Sequence, residues 1–327
     1  MALRTRITEL LEIEHPIVQG GMQNVGVADL AAAVSNAGAL GMLTALTFPS
    51  ATALRDEIER CKVLTGNPFA VNISVFPTMN PPDYLAIVAA IAEAGVRVVE
   101  TAGTPAVRDV WEMLHARGIV IIHKCTSVRH ALSSEGYGVH AISIDGFECA
   151  GHPGEDDTPG LVLIPAAADK LSVPILASGG IADGRGMVAA LALGADGVNM
   201  GTRFCATQEA RIHPHVKQAY LDNDERGTLL LFRKLRNTAR VGRNRVAEEV
   251  VRRLDRPDAT FADVAELVAG AKGRQLLADG NLDGGIYWAS LAQGLIHDLP
   301  TCRELVDRIM VEADAIIVDR LGAMRRH

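Results

Sequence analysis

Short apolar runs alternate with amphipathic stretches over about the first 200 residues of the chain. The apolar runs are four to six residues long, as strands are, and the amphipathic stretches have helical spacing. The predicted strands are 16–21, 40–43, 69–74, 97–101, 119–124, 140–144, 173–178 and 196–200. The predicted helices between them are 27–37, 51–64, 84–94, 104–118, 128–135, 159–171 and 183–193. Strands that alternate with helices in this way favour a parallel sheet.

Eight strand–helix repeats in roughly 200 residues match the size of a TIM (β/α)8 barrel. The run 119–124 is almost continuously apolar, as expected for a strand that is covered on both faces. An open, doubly wound sheet is the competing arrangement, but eight evenly spaced strands favour closure. The predicted fold class is therefore α/β, with a TIM barrel.

Three residues are predicted to cap helices of this barrel. Gly38 follows the first helix, where a glycine commonly supplies the left-handed residue that ends a helix. Thr104 is expected to begin the fourth helix, with Pro105 at its first position. Asp183 is expected to begin the seventh helix through its side-chain carboxylate.

The pattern changes between residues 212 and 285, where helical periodicity continues without predicted strands. We expect a smaller, mostly helical domain at about 212–285, and a barrel formed by 1–211 and about 286–327. Basic residues crowd into this segment: Arg233, Lys234, Arg236, Arg240, Arg243 and Arg245. A solvated helix face with ion pairs explains them best, and a contact with a pyrophosphate or 2′-phosphate is the weaker alternative. The stretch 295–321 is predicted to return to the barrel as terminal helices.

Composition narrows the class of protein. With 327 residues, 48% of them hydrophobic, the chain can bury a large core. A net charge of −7 argues against a nucleic-acid partner. The chain has no run of about 18 apolar residues, and its start lacks the apolar core of a signal peptide, so we expect no membrane span. Five scattered cysteines without a C-x-x-C pair indicate a reducing, cytoplasmic setting and neither a disulfide framework nor a metal site.

The stretch Asp145–Asp157 is the most polar loop to follow a predicted strand. It contains His152 between two glycines, Cys149 and five acidic residues. Loops at the carboxyl ends of barrel strands carry the catalytic groups of this architecture. We therefore take His152 as a candidate catalytic residue, while an ordinary surface turn with a solvated histidine is the simpler interpretation.

Two glycine-rich loops follow the seventh and eighth predicted strands, at Ala177–Asp183 and Asn199–Arg203. Glycine lets backbone N–H groups approach an anion closely, and each loop begins a helix whose N-terminus carries partial positive charge. TIM barrels often hold a phosphate between these two loops. Gly179 and Gly201 are one βα unit apart, as such a site requires. The simpler alternative is a pair of tight turns.

Polar residues also end other predicted strands: Gly21, Met22 and Gln23 after the first, Asn72 and Ser74 on the third, and Lys124 on the fifth. A lysine at the end of an apolar strand is costly unless it meets an anion. A phosphate plus one cation at the barrel mouth suits FMN. An ion pair with Asp145 or Glu100 explains Lys124 equally well. The chain has no G-x-G-x-x-G and no Walker lysine, which disfavours a tightly bound dinucleotide or ATP hydrolysis.

Seven stretches resemble the FMN-dependent nitronate monooxygenases, formerly called 2-nitropropane dioxygenases, and especially their bacterial NADH:quinone reductase subgroup. They are Gln19–Gln23, Gly95–Gly103, His123–Ala131, Ser143–Asp157, Ala177–Gly180, Asn199–Arg203 and Leu235–Arg240. The resemblance implies a TIM barrel, a smaller helical domain and noncovalent FMN in the barrel mouth. It places His152 at the active-site histidine of the family. The residues it implies for flavin contact are Gly21, Met22, Gln23, Ser74, Lys124, Gly151, Ser178, Gly179, Gly180, Gly201 and Thr202.

The resemblance implies a cytoplasmic flavoenzyme that takes hydride from NADH and passes two electrons to a quinone. His152 would bond or protonate a quinone oxygen, and Lys124 with the helix N-termini would stabilise anionic reduced flavin. The loop 75–82 corresponds to the mobile substrate loop of the subgroup, with Met79 where a polar residue is expected.

Other functions stay open. One is nitronate oxidation with O2, and another is an IMP-dehydrogenase-like barrel with Cys149 as nucleophile. A phosphate-binding sensor is the non-enzymatic alternative. The sequence fixes neither the quinone nor the preference for NADH over NADPH. A homodimer is compatible with it, but the oligomeric state is not determined.

Overall fold

The barrel consists of eight parallel strands, and the polar residues that matter for function lie at their carboxyl ends. The computed structural model describes residues 3–75 and 81–325. Its strands are β1 (Ile17–Gln19), β2 (Gly41–Thr44), β3 (Phe69–Val75), β4 (Val98–Gly103), β5 (Val120–Cys125), β6 (Ala141–Asp145), β7 (Ile175–Ser178) and β8 (Gly197–Met200). The substrate-loop assignment at 75–82, with Met79, lies mostly outside the described residues.

The sheet closes on itself. The strand order is β1-β8-β7-β6-β5-β4-β3-β2, with every named pair parallel. A parallel bridge joins Val18 to Leu40, and the N–H of Gln19 donates to the carbonyl of Leu40 over 2.9 Å. Because this contact links the first strand to the start of the second, the predicted TIM barrel is confirmed and the open sheet is excluded.

Helices cover the outside of the barrel between successive strands. They are α2 (Ala28–Asn36), α3 (Ala51–Leu64), α4 (Tyr84–Glu93), α5 (Val107–His115), α6 (Val128–Gly136), α7 (Gly160–Ala168) and α8 (Gly184–Ala192). Each lies within the corresponding predicted helix or extends one residue beyond it. The apolar faces of these helices and the outward faces of the strands form one continuous core.

A helix that the sequence analysis did not predict closes the amino-terminal end of the barrel. This helix, α1 (Arg6–Leu11), begins at Thr5, whose hydroxyl accepts from the N–H of Thr8. Ile7 and Leu11 are fully buried against the lowest inward-facing side chains of the strands. The lower barrel is therefore a packed apolar plug, and polar side chains are confined to the upper end.

Two of the three predicted helix caps are confirmed. Gly38 has a positive φ of 88° at the end of α2. The carboxylate of Asp183 accepts from the N–H of Gly186 over 3.0 Å at the start of α8.

The predicted cap at Thr104 is wrong. Its hydroxyl donates to the carbonyl of Val75 on β3, and its own carbonyl accepts from Val107 in a turn. Because the chain first ties itself back to the neighbouring strand, α5 begins only at Val107.

A second unit with its own apolar cluster follows the barrel. Its cluster includes residues of β9 (Thr228–Leu231), β10 (Ala239–Gly242) and α11 (Arg245–Leu254). The flanking helices α10 (Pro214–Asp222) and α12 (Gly270–Asp279) bury their apolar side chains in the main core instead. The two strands are antiparallel, so the expectation of helices without strands is wrong here. The apolar run before Arg233 pairs with β10 across a turn that the local helical spacing did not reveal. The domain boundaries at 212 and 285 stay a prediction.

The chain then returns to the barrel. After the short helix α9 (Thr202–Cys205) and the second unit, α13 (Cys302–Ala315) packs on α8 and α2, and α14 (Leu321–Ala323) follows it. Within residues 3–75 and 81–325, no helix is both long and apolar enough to cross a membrane.

Candidate active site

The carboxyl ends of the barrel strands bring most of the predicted site residues to one rim. Parallel pairing places Asp145 beside Ser178, and Ser178 beside Asn199. Loops that leave neighbouring parallel strands must therefore meet at the same end. The following predicted residues lie on or just beyond this rim: Gly21, Met22, Gln23, Ser74, Lys124, Gly151, His152, Ser178, Gly179, Gly180, Gly201 and Thr202. Their contact with a flavin stays a prediction.

A cluster of buried charges lies inside the upper barrel. The ammonium of Lys124 is 3.4 Å from Asp145 Oδ1 and 3.9 Å from Glu100 Oε2. Burial by itself would lower the pKa of Lys124, but these two carboxylates raise it above its usual value. Lys124 therefore stays protonated, and the ion pair that the sequence analysis left open as an explanation is present.

Glu100 is the most enclosed member of this cluster, with no exposed surface. Its carboxylate accepts from the N–H of Gly21 over 3.1 Å, from Asn72 over 2.9 Å and from Asn199 over 2.7 Å. These three donors come from the loop after β1, from β3 and from β8, and Lys124 on β5 is the nearest cation. Glu100 thus connects the loop after β1 to β3, β5 and β8.

Backbone N–H groups without a protein partner among the described residues lie in the loops that follow β7 and β8. Within the described chain, the N–H groups of Gly180, Gly201 and Thr202 donate to no protein acceptor. Unsatisfied N–H groups at such a junction are ready donors for an anion. The donor set therefore fits the phosphate of FMN.

The loop 177–183 begins α8, as expected, but two N–H groups in the first turn of that helix are already used within the protein. Its first N–H groups already bond to carboxylates, since Gly184 donates to Glu312 over 2.8 Å and Gly186 to Asp183 over 3.0 Å. The N–H groups of Gly184 and Gly186 are therefore not available to a ligand. An anion in this region is left with the loops themselves and the start of α9.

Gly179 and Gly201 differ in the space around them. Gly179 has a φ of 92°, and a Cβ there would lie 3.0 Å from the N–H nitrogen of Cys149. Gly201 has an ordinary backbone, and a Cβ there would meet only Met22, whose sulfur is 3.5 Å away. Packing alone requires glycine at Gly179, whereas the space in front of Gly201 is open enough for a ligand atom.

In the loop after β1, Met22 and Gln23 bond to the segment around β2. The N–H of Met22 donates to the hydroxyl of Thr44 over 2.9 Å, which fixes its backbone at the rim. The side chain of Gln23 is exposed and donates to the carbonyl of Leu46 over 3.3 Å. That bond directs the Gln23 amide toward the segment after β2, so its backbone is the better placed part for a ligand.

His152 stands on the rim, where its ring centroid is 5.9 Å from that of Trp288. The side chain stays accessible, yet desolvation by the surrounding protein lowers its pKa more than the nearby Glu155 raises it. The imidazole is therefore neutral at neutral pH, and it can both donate and accept one hydrogen bond.

The loop that carries His152 is held by the second unit. Gly151 and Arg240 form an antiparallel bridge, and the guanidinium of Arg240 donates to the carbonyl of Phe147 over 3.0 Å. Arg233 forms a bidentate pair with Asp157. The interpretation of the arginines as a solvated, ion-paired face is thus right for Arg233 but wrong for Arg240, which is buried.

Cys149 is a poor nucleophile. It is buried, and that burial raises the pKa of its thiol well above the usual value, with Asp145 adding to the effect and Lys124 opposing it. A protonated thiol reacts slowly, which disfavours the IMP-dehydrogenase-like alternative. Within residues 3–75 and 81–325, no group of three His, Cys, Asp or Glu side chains could hold a metal ion.

Sequence reasoning missed Glu100 and Asn199 as site residues, although both interrupt apolar strands as Lys124 does. That interruption was a usable signal. Trp288 was also missed, and nothing in its local sequence marks it, whereas Arg240 was noted only as one member of a basic cluster and of a family-like stretch. Both come from the second unit or its return segment, so only tertiary contact places them beside His152.

The closed barrel and its polar rim define a protein of the (β/α)8-barrel class. Residues 4–312 match the nitronate monooxygenase family. The chain therefore belongs to this family and is a flavin-dependent oxidoreductase. This confirms the resemblance drawn from the sequence.

Relatives of known name span the whole chain. A (3aS,4S,5R,7aS)-5-hydroxy-7a-methyl-1-oxo-octahydro-1H-indene-4-carboxyl-CoA dehydrogenase of Rhodococcus jostii is 32% identical, with 99% of each chain covered. A probable nitronate monooxygenase of Staphylococcus saprophyticus is 29% identical, covering 97% of this chain and 99% of the relative.

Solved structures agree with the family assignment. FabK from Thermotoga maritima superposes with a TM-score of 0.90 at 33% identity, covering 98% of this chain and 99% of that one. A nitroalkane oxidase from Streptomyces ansochromogenes gives a TM-score of 0.80 at 28% identity, covering 96% and 100%. The substrates of these proteins differ, so the family by itself does not fix the substrate of this chain.

Proposed function

We propose that this chain binds FMN noncovalently, takes hydride from NADH and passes two electrons to a quinone. The observation that carries the cofactor assignment is the set of unpaired N–H groups on Gly180, Gly201 and Thr202. These donors would hold the phosphate, and the upper barrel with Lys124 would face the ring system. Bound FMN supplies a two-electron acceptor and donor that no protein side chain provides.

The nicotinamide needs only a surface beside the flavin, so a dinucleotide-binding module is not required. This fits a chain that has no G-x-G-x-x-G sequence. Trp288, which is 39% exposed, and the ring of His152 flank the same opening. A planar substrate would stack there, and the neutral imidazole would donate a hydrogen bond to a quinone oxygen.

A CoA thioester is the second candidate for the substrate. The dehydrogenases of Rhodococcus jostii and Mycobacterium tuberculosis, both named for an indene-carboxyl-CoA, are each 32% identical to this chain over at least 96% of its length. An alicyclic ring would fit the same aromatic opening as a quinone. Nitronate oxidation with O2 is the third candidate, supported by the probable nitronate monooxygenases among the relatives.

Rapid mixing without oxygen tests the proposal. The purified protein should be yellow and release FMN on denaturation. NADH should bleach the flavin absorbance quickly, and a quinone should then restore it within the turnover time. Bleaching by an alkyl nitronate with NADH inert would replace the proposal by nitronate oxidation. Reoxidation by an oxidised CoA thioester but not by quinones would promote the second candidate.

A further inference from the structure

We propose that Glu100 and Asp145 set the charge at the barrel mouth, so that two-electron reduction of bound FMN draws two protons instead of one. Glu100 acts here as a positioning residue that also holds Lys124 and the first loop. This inference rests on the proposed FMN site. It concerns the two carboxylates, to which the resemblance to the family gave no role at the flavin.

Lys124, Asp145 and Glu100 form a cluster with more negative than positive groups. One ammonium, Lys124, faces two carboxylates, Asp145 at 3.4 Å and Glu100 at 3.9 Å, which leaves the cluster with a formal net charge of −1. Lys124 therefore gives the site no net positive charge. Its ammonium already compensates carboxylates that have little water around them, since Glu100 is fully buried and Asp145 is only 7% exposed.

Glu100 and Asp145 are held by different kinds of contact. Glu100 accepts three hydrogen bonds, from Gly21, Asn72 and Asn199, so its negative charge is fixed in place. Asp145 Oδ1 makes no hydrogen bond within the described residues, and its compensation comes from the ion pair with Lys124. Drawing Lys124 toward another anion would leave Asp145 uncompensated, which a low-dielectric site penalises.

The other titratable groups near the cluster do not change the count. Cys149, which follows β6, is a protonated thiol, and His123 on the outer side of β5 is neutral because burial lowers its pKa to about 4. Arg240 lies beyond Cys149, where Glu148 faces it. The polar neighbours on β3, β6 and β8, which are Asn72, Ser143 and Asn199, carry no charge.

The consequence follows from like-charge repulsion. Reduced FMN with one bound proton carries a negative charge on its ring, and a site with a net charge of −1 disfavours a second one. Hydride from NADH brings two electrons and one proton, and the second proton comes from the solvent. The site thereby favours the uncharged form of the fully reduced ring.

The test measures the reduction potential of the holoenzyme between about pH 6 and pH 8, where Glu and Lys side chains do not usually titrate. We expect the wild-type slope of potential against pH to correspond to two protons per two electrons. Asp145→Asn and Glu100→Gln should raise the potential and halve the slope over the upper part of the range. Lys124→Met should lower the potential and keep the two-proton slope.

Asp56→Asn, on the exposed face of α3, is the matched control and should change neither quantity. If Glu100→Gln fails to fold because its amide faces the Asn199 amide, Asp145→Asn carries the test. A wild-type slope of one proton per two electrons overturns the inference, as do Asn and Gln variants with unchanged potential. A protein that binds no FMN overturns the proposed function and this inference together, whereas FMN with a one-proton slope overturns only the inference.

Discussion

The backbone N–H of Arg240 donates to the carbonyl of Gly151 over 2.6 Å, and the N–H of Gly151 returns a bond to Arg240 over 3.1 Å. This pair joins the loop before His152 to a strand of the second unit. The guanidinium of Arg240 lies 4.6 Å from the ring centroid of Phe147 and donates a hydrogen bond to the carbonyl of Phe147. The position of the candidate catalytic histidine therefore depends on a residue outside the barrel.

We expect Arg240→Met to loosen this loop while leaving the barrel folded. The substitution keeps the apolar part of the side chain but removes the bonds to Phe147 and Thr228 and the cation–π contact. Misplacement of His152 should reduce kcat/KM with the quinone by roughly 10- to 100-fold. Hydrogen exchange at the Gly151 N–H should quicken in parallel. Arg243→Met, which removes an exposed pair with Glu248, is the control, and an equal loss in both variants would refute the positioning role.

Replacing His152 separates the two half-reactions. Hydride transfer from NADH needs no protein base, so His152→Ala should leave flavin reduction by NADH nearly unchanged. The quinone half-reaction should slow by about 10²-fold or less, the lower range for help from a general acid. Anaerobic stopped-flow absorbance measures both steps, with the exposed His297→Ala as control. Loss of the NADH step alone would contradict the assigned role.

Gly201→Val tests the phosphate site. The backbone of Gly201 allows a side chain, and only Met22 lies near the new Cβ, so the variant should fold. The added methyl groups would fill the space in front of the loop, and the purified protein should contain little FMN. Flavin absorbance per mole of protein measures this, and Gly66→Val, where nothing lies near the Cβ, should keep full flavin. Full occupancy in Gly201→Val would place the phosphate elsewhere.

Stability should fall on acidification because of His123. Its ring is 5% exposed, lies 2.9 Å from the hydroxyl of Thr101 and meets Trp111 edge-on. Burial lowers its pKa to about 4, an effect that a hydrogen bond to the backbone of Thr101 partly offsets. In the unfolded chain His123 has a pKa near 6.5 and binds a proton as the pH falls below that value. In the folded chain it binds this proton only near pH 4.

This difference should cost about 2 kcal/mol of unfolding free energy between about pH 7 and pH 5. His123→Gln cannot titrate, so its unfolding free energy should fall by that much less than the wild type over the same interval. Urea unfolding at the two pH values measures both proteins. An identical pH dependence of the two would show that His123 does not carry this contribution.

The hydrophobic pattern by itself determined the architecture. Eight apolar runs at even spacing, each followed by an amphipathic stretch, can bury their apolar surface on both faces in a parallel sheet covered by helices, and their number and spacing favour closure of that sheet. The same pattern located the polar strand ends, because a lysine or a glycine pair that follows an apolar run stands out locally. Placement of these groups at one rim followed from the parallel direction of the strands.

Only the tertiary structure decided which of these groups meet. Whether Lys124 pairs with an anion of the protein or stays available depends on the register of β4, β5 and β6, which local spacing does not encode. The cap that Glu312 places on α8 comes from a helix 128 residues away from Gly184. The anchor of Arg240 on Gly151 joins two separately packed units. Such contacts depend on packing between distant segments, whereas periodicity reports only on neighbours within one element.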